Sequence, residues 1–168
     1  TDRSIALLGR HVEVPAPWYL ALNPLMIFLL TPFIVRMWAA QSRRGREPRP
    51  AMKMAFGSFC LALAYLVMAL AAVDTGAATK ASSLWLVAYF MLATMGELYV
   101  APVGLALVAG LAPAHLRSLL MGVWFAATLP AGILGGTLGA LWSSLEKPAF
   151  FLLIAATAAT GGGAMLLL

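Results

Sequence analysis

Long apolar runs separated by short polar stretches set the pattern of this chain. Val14 to Val35 contains no charged residue, nor does Met54 to Val73. Ala81 to Ala114 holds a single one, Glu97, and Ser118 to Leu145 and Pro148 to Leu168 hold none. A helix needs about 20 apolar residues to cross the hydrocarbon core of a bilayer. The pattern therefore predicts five membrane-spanning helices, over 17–39, 52–73, 84–110, 118–141 and 148–168. Strands of a transmembrane barrel would be short and alternating, and these runs are neither. The expected fold class is an all-α integral membrane protein.

Composition agrees. Of 168 residues 62% are hydrophobic and 10% charged, with a mean hydropathy of +0.93. Soluble domains carry about 45–50% apolar and about 25% charged residues, so a soluble enzyme, a nucleic-acid-binding module and a disordered tail are excluded. The net charge of +5 does not restore a nucleic-acid partner, because the basic residues lie in the loops between apolar runs. Arg36, Arg43, Arg44, Arg46, Arg49, Lys53 and Arg117 fall on one face of the membrane, and Arg3, Arg10, Lys80 and Lys147 on the other. The richer face is assigned to the cytoplasm, which places the chain in the cell's inner (plasma) membrane. Trp18, Trp38, Trp85 and Trp142 fall at predicted helix ends, as an aromatic belt requires, whereas Trp124 does not. The segment 1–16 reads as an extracytoplasmic loop following an absent helix, and 17–168 as the transmembrane unit. The lone Cys60 offers no disulfide or metal spacing. No nucleotide-binding loop, zinc motif or nucleophile-and-base arrangement is present, so no enzyme activity, cofactor or metal is expected.

Glu97 is the residue that most needs explaining. An ionisable side chain at the centre of a spanning helix costs at least about 2.5–3.5 kcal/mol, and such residues face a bundle interior or a watery cavity. Low dielectric favours its neutral form and a nearby cation its charged form, so this carboxyl can load and release a proton. The alternative is a permanently neutral acid hydrogen-bonded between helices. Ala93, Thr94, Ala101 and Gly104 share its helical face, leaving room for a cavity or a close partner helix. Pro24 and Pro32 in the first helix, Pro102 in the third and Pro130 in the fourth remove backbone donors. Interrupted helices of this kind point to transporter binding sites, although each could be a simple packing kink. Asn23 places an amide inside an apolar span, as interhelical glue or as a substrate contact. Trp124 and Thr128 lie a turn apart on the fourth helix, where the indole N–H needs a partner unless the ring merely faces lipid. Gly132 with Gly136, Gly135 with Gly139, and Gly161 to Gly163 read as helix-packing surfaces.

The stretches VPAPWYLALNPLMIFLLTP, GELYVAPVGLALVAGLAP and HLRSLLMGVWFAAT resemble the proton-dependent oligopeptide transporter family of the major facilitator superfamily. The resemblance runs from about Val14 through the fourth helix. It implies helices eight to twelve of a twelve-helix transporter, which is most of the C-terminal six-helix bundle. It further implies proton-coupled symport of di- and tripeptides, with the N-terminal transporter half, the lipid bilayer, protons and the peptide as partners. By the same resemblance Glu97 corresponds to the family's helix-ten glutamate, which pairs with a basic residue of the other half and helps bind the peptide amino terminus. Asn23 corresponds to a helix-eight peptide contact and Trp124 to a helix-eleven pocket tryptophan, while Thr128 falls where some members have serine. Leu20, Ala21 and Ala101 stand where members often carry polar side chains. Two other functions remain expectations of the sequence: a superfamily carrier for a non-peptide solute, and a small non-transporting membrane assembly protein.

Overall fold

The computed structural model describes residues 4–7, 10–13, 19, 21–75 and 82–167. Ahead of the helices stands a short antiparallel hairpin of β1 (Ser4–Leu7) and β2 (Arg10–Glu13), with Ser4 opposite Glu13 and Leu7 opposite Arg10. The helices are α1 (Leu22–Arg43), α2 (Pro50–Thr75), α3 (Ser83–Leu111), α4 (Arg117–Ala126), α5 (Thr128–Ala140) and α6 (Lys147–Leu166). A single 3-10 turn, Leu141–Ser143, precedes α6. Among the described residues, five spans are long and apolar enough to cross a membrane, α4, α5 and the turn together making one of them.

The helix limits depart from expectation for identifiable reasons. α1 continues a turn beyond residue 39 through Gln41, Ser42 and Arg43, because a cation is favourable at the negative end of the helix dipole. Gly45 stops it: at φ 61° its N–H reaches the Ser42 carbonyl and the Arg46 N–H returns to Gln41, both at 3.0 Å. Only glycine adopts that left-handed conformation without steric penalty. Pro17, Trp18 and Leu20, in the predicted start of this helix, lie outside the described residues. The fourth predicted helix is two helices in tandem meeting at Ala127. Pro130 has no N–H to give the Ala126 carbonyl, and the next bond, from Ala131 N–H to the Ala127 carbonyl, stretches to 3.4 Å. At the head of α6, Pro148 occupies the first turn, where a missing N–H goes unnoticed.

α2 is the centre of the packing, gripped between α3 and α6. Its contact surfaces are built from small residues: Ala55, Ala62, Ala64, Ala69 and Ala71 are all buried. Such residues let helix backbones approach closely in a membrane. At the α2–α3 crossing Gly57 and Gly96 face each other, each with the other's carbonyl 2.8 Å from where a Cβ would stand. On the other side Gly162 of α6 sits over Ala55 and Ser58. The glycines expected to pack in the fourth span meet no other element among the described residues: nothing lies within 4 Å of where a Cβ would stand on Gly132, Gly135, Gly136 or Gly139, nor on Gly161 or Gly163. α5 carries no buried residue. α1 is loosely attached, with Ile34 its only buried side chain.

At the α1–α2 connection Lys53 donates to Glu47 at 2.6 Å, and its ammonium lies 4.7 Å from the centroid of the Trp38 ring. Lys53 is buried while Glu47 is exposed. The hydrogen bond from Lys53, a second from Ser42 and the lysine charge hold the Glu47 carboxyl below the usual carboxylate range. A carboxyl lowered by folding stabilises the native state above its unfolded value and loses that effect as pH falls through the folded one. Glu47→Gln should therefore lower the thermal transition at pH 7, and the gap from wild type should close on acidification well below about pH 4. A gap equally wide at both extremes, followed by differential scanning fluorimetry, contradicts this assignment.

Candidate functional site

Glu97 lies midway along α3, and its carboxyl is exposed from this chain. α1 supplies its partner. The Asn23 amide Nδ2 donates to both Glu97 oxygens, 3.4 Å from Oε1 and 3.2 Å from Oε2. Behind the amide, Thr94 Oγ1 donates to Asn23 Oδ1 at 2.9 Å. Thr94 is wholly buried, with 0% of its surface accessible. Hydroxyl, amide and carboxyl thus form one line that begins inside the α1–α3 contact and ends at its open edge. The polarity of that line is chemically required: an ionised carboxylate only accepts, so Asn23 must turn its NH2 toward Glu97 and its oxygen toward the hydroxyl.

Little apolar burial holds α1 here, and directional contacts take its place. Tyr19 shares a 2.9 Å hydrogen bond with Ser83, near the start of α3. Farther down, Trp38 packs edge-on to Tyr99 with centroids 5.3 Å apart, and the Tyr99 hydroxyl approaches Met37 Sδ at 3.9 Å. Between α2 and α3, the Tyr65 and Tyr89 rings meet at 5.5 Å. Among the described residues no lysine, arginine or histidine pairs with Glu97; the ion pair found there is Lys53 with Glu47.

The other expected site residues take different positions. Trp124 presses its ring against α3 at Gly104, where a Cβ would stand 2.0 Å from Trp124 Cη2. Gly104 is two turns from Glu97 on the same helical face, so the ring flanks the carboxyl's side of α3 without any contact to it in this chain. Below the ring lies an apolar cavity of about 390 Å³ lined by Leu107, Val108, Leu120 and Ala127. Thr128 donates to the Phe125 carbonyl at 2.6 Å, which uses its proton locally. Pro102 is inside α3 and leaves the Leu98 carbonyl, next to Glu97, without its helical donor. Pro24 stands in the first turn of α1, and Pro130 in the first turn of α5 just after the Ala127 break. A larger groove, about 790 Å³, opens between the α1–α2 connection and the C-terminal half of α3, but neither Asn23 nor Glu97 lines it. Thr94 was not expected as a site residue beyond its place on the Glu97 face. The available signal was a hydroxyl three residues before a mid-span acid, among alanines and glycines.

The sequence model of the POT family matches residues 4–152. The chain belongs to the POT family. It is 37% identical over 142 residues to the peptide transporter YePEPT of Yersinia enterocolitica, which covers 81% of this chain and 27% of that protein. To a di-/tripeptide transporter of Lactococcus lactis subsp. cremoris it is 34% identical over 143 residues, 85% of this chain and 28% of that protein. A crystal structure of a POT family transporter in complex with 5-aminolevulinic acid superposes with a TM-score of 0.87 at 25% identity, covering 99% of this chain and 34% of that one. A peptide transporter POT in complex with sulfate gives 0.82 at 28%, covering 99% and 33%. The chain thus spans about a quarter to a third of the relatives it matches. It is a helical, multi-pass segment of the plasma membrane from a family of transporters, not of enzymes.

Proposed function

We propose that this POT chain supplies the C-terminal half-bundle of a transporter that carries di- and tripeptides together with protons by alternating access around a site near the bilayer midplane. The segment 1–16 is then an extracytoplasmic loop after a preceding helix, and 17–168 the half-bundle itself. Glu97 exchanges the coupling proton and receives the peptide amino terminus, with Asn23 as a second peptide contact. Trp124 and Thr128 are further substrate contacts, and Pro24, Pro102 and Pro130 mark where the helices bend as the site opens and closes. The N-terminal half of the transporter provides the basic partner of Glu97.

One observation carries this reading: a mid-helix carboxyl, held by an amide from a second helix, meets no cation among the described residues and is exposed. A peptide ammonium or a basic side chain from another part of the transporter satisfies such a group. The names of the relatives support the substrate class, and one POT family structure holds a thioalcohol-conjugated peptide. The 5-aminolevulinic acid bound to another favours a second reading, an amino-bearing solute that is not a peptide.

Competition separates the two. With the whole transporter in liposomes and a labelled dipeptide taken up down a pH gradient, unlabelled di- and tripeptides should suppress the signal to background, and free amino acids should not. A carrier for non-peptide solutes would show no saturable dipeptide uptake, or uptake that peptides fail to displace.

A further inference from the structure

Thr94 departs from its kind. Every other helical threonine whose hydroxyl bond is seen turns back on the backbone three or four residues before it: Thr31 to Ile27, Thr128 to Phe125, Thr137 to Leu134, Thr157 to Ile154 and Thr160 to Thr157. That is the ordinary fate of a hydroxyl inside a helix. Thr94 instead reaches across to another helix, giving its proton to Asn23 Oδ1 at 2.9 Å from a fully buried position.

We infer that Thr94 is a positioning residue that fixes the Asn23 amide and thereby presets Glu97 for its cationic partner. The inference rests on the proposed role of Glu97. The carboxylate selects the NH2 end of the amide, which leaves Oδ1 inside the α1–α3 contact in need of a donor. The buried Thr94 hydroxyl supplies that donor and so anchors the amide at its place beside Glu97. Without it Oδ1 is left unpaired in the contact, the amide swings out, and the carboxylate loses its fixed direction.

Other groups near Glu97 do not do this work. α1 brings Asn23 and no charged side chain at that level; α4 touches α3 through Trp124, and its ionisable residue, Arg117, stands at its far end. From α3 itself Tyr89 stands about two turns before Glu97, and from α2 Tyr65 packs against Tyr89 with ring centroids 5.5 Å apart.

The test contrasts two substitutions whose effects on packing and hydrogen bonding are opposite. Thr94→Val keeps the side-chain volume and deletes the hydroxyl; Thr94→Ser keeps the hydroxyl and leaves a methyl-sized gap. In the whole transporter, Thr94→Val should raise KM for a dipeptide about tenfold, the effect of losing one hydrogen bond to a charged site, while Thr94→Ser stays within about twofold of wild type. In an Asn23→Ala background, Thr94→Val should have no further effect on KM. Equal KM for wild type and Thr94→Val, or a serine variant as impaired as valine, overturns the inference.

A second readout is independent of transport. The infrared carboxylate stretch of Glu97, identified by its loss in Glu97→Gln, should move in Thr94→Val and not in Thr94→Ser. If the wild type carries no peptide, the proposed function fails on its own, and this band still decides the role of Thr94: a band that stays in place in Thr94→Val overturns it.

Discussion

Replacing Glu97 with glutamine is expected to abolish accumulation of dipeptide against its gradient while leaving exchange partly intact. The amide keeps the shape of the side chain and can still accept one hydrogen bond from Asn23, so a site persists. What it cannot do is take up and release a proton. With one proton moved per peptide, an inward gradient of about one pH unit supports about tenfold accumulation, since each tenfold corresponds to about 1.4 kcal/mol. Glu97→Gln liposomes should equilibrate at onefold and yet retain counterflow of labelled for unlabelled peptide. Tenfold accumulation by that variant would exclude Glu97 as the coupling group. The structural reason is the weak hold on α1. Ile34 is its one buried side chain, so the line from Thr94 through Asn23 to Glu97 joins α1 to α3 together with the Trp38–Tyr99 contact. Protonation turns an acceptor-only carboxylate into a group that must also donate, which loosens the grip of Asn23 and frees α1 to move relative to α3. Peptide and proton then bias the same two-state element.

The second large effect concerns the scaffold. Gly57→Val would place its Cβ 2.8 Å from the Gly96 carbonyl and 2.8 Å from Tyr99 Cβ, with Val100 Cγ2 at 2.9 Å. Two of these neighbours cannot swing away, being a backbone oxygen and a Cβ, so the α2–α3 crossing itself must widen. Overpacking of this kind costs about 1–3 kcal/mol, and a rigid backbone partner puts this site at the upper end. The thermal transition should fall by about 6–10 °C, with loss of monodispersity in detergent. Gly161→Ala, where nothing lies within 4 Å, should melt with the wild type. A Gly57→Val protein that unfolds at the wild-type temperature would show that the two helices do not cross at this glycine pair.

Much of this architecture is legible in the sequence because the bilayer demands it. Runs of about 20 uncharged residues can only be spanning helices, and the five spans appear where those runs lie. Their ends were less legible, since helices tolerate polar residues in the last turn: α1 takes in Gln41 to Arg43 and stops only at the left-handed Gly45. The hairpin of β1 and β2 went unseen because two four-residue strands carry too short an alternation to stand out in a polar segment. Glycine spacing was an unreliable guide to packing. Gly132 with Gly136 has the small-xxx-small pattern and meets no other element among the described residues, whereas Gly57 and Gly96, 39 positions apart in sequence, bring two backbones together. Spacing shows which faces are thin but not what lies opposite. The same holds at the candidate site. Asn23 and Glu97 each stand out singly as polar groups in apolar runs, but their 3.2 Å contact spans 74 residues and becomes visible only once α1 lies on α3. Thr94 was hidden for a further reason: a threonine in a membrane helix ordinarily satisfies itself, and nothing local marks the exception.

The most direct measurement is the flow of hydrogen ions that peptide itself provokes. The whole transporter is sealed in liposomes with a pH-sensitive dye inside and no initial pH difference, and a dipeptide is added outside. The account predicts that the lumen acidifies with wild-type protein and stays unchanged with Glu97→Gln, although both variants exchange peptide. Equal acidification by the two would mean that the proton travels by another route, and the Asn23–Glu97 pair would then be structural only.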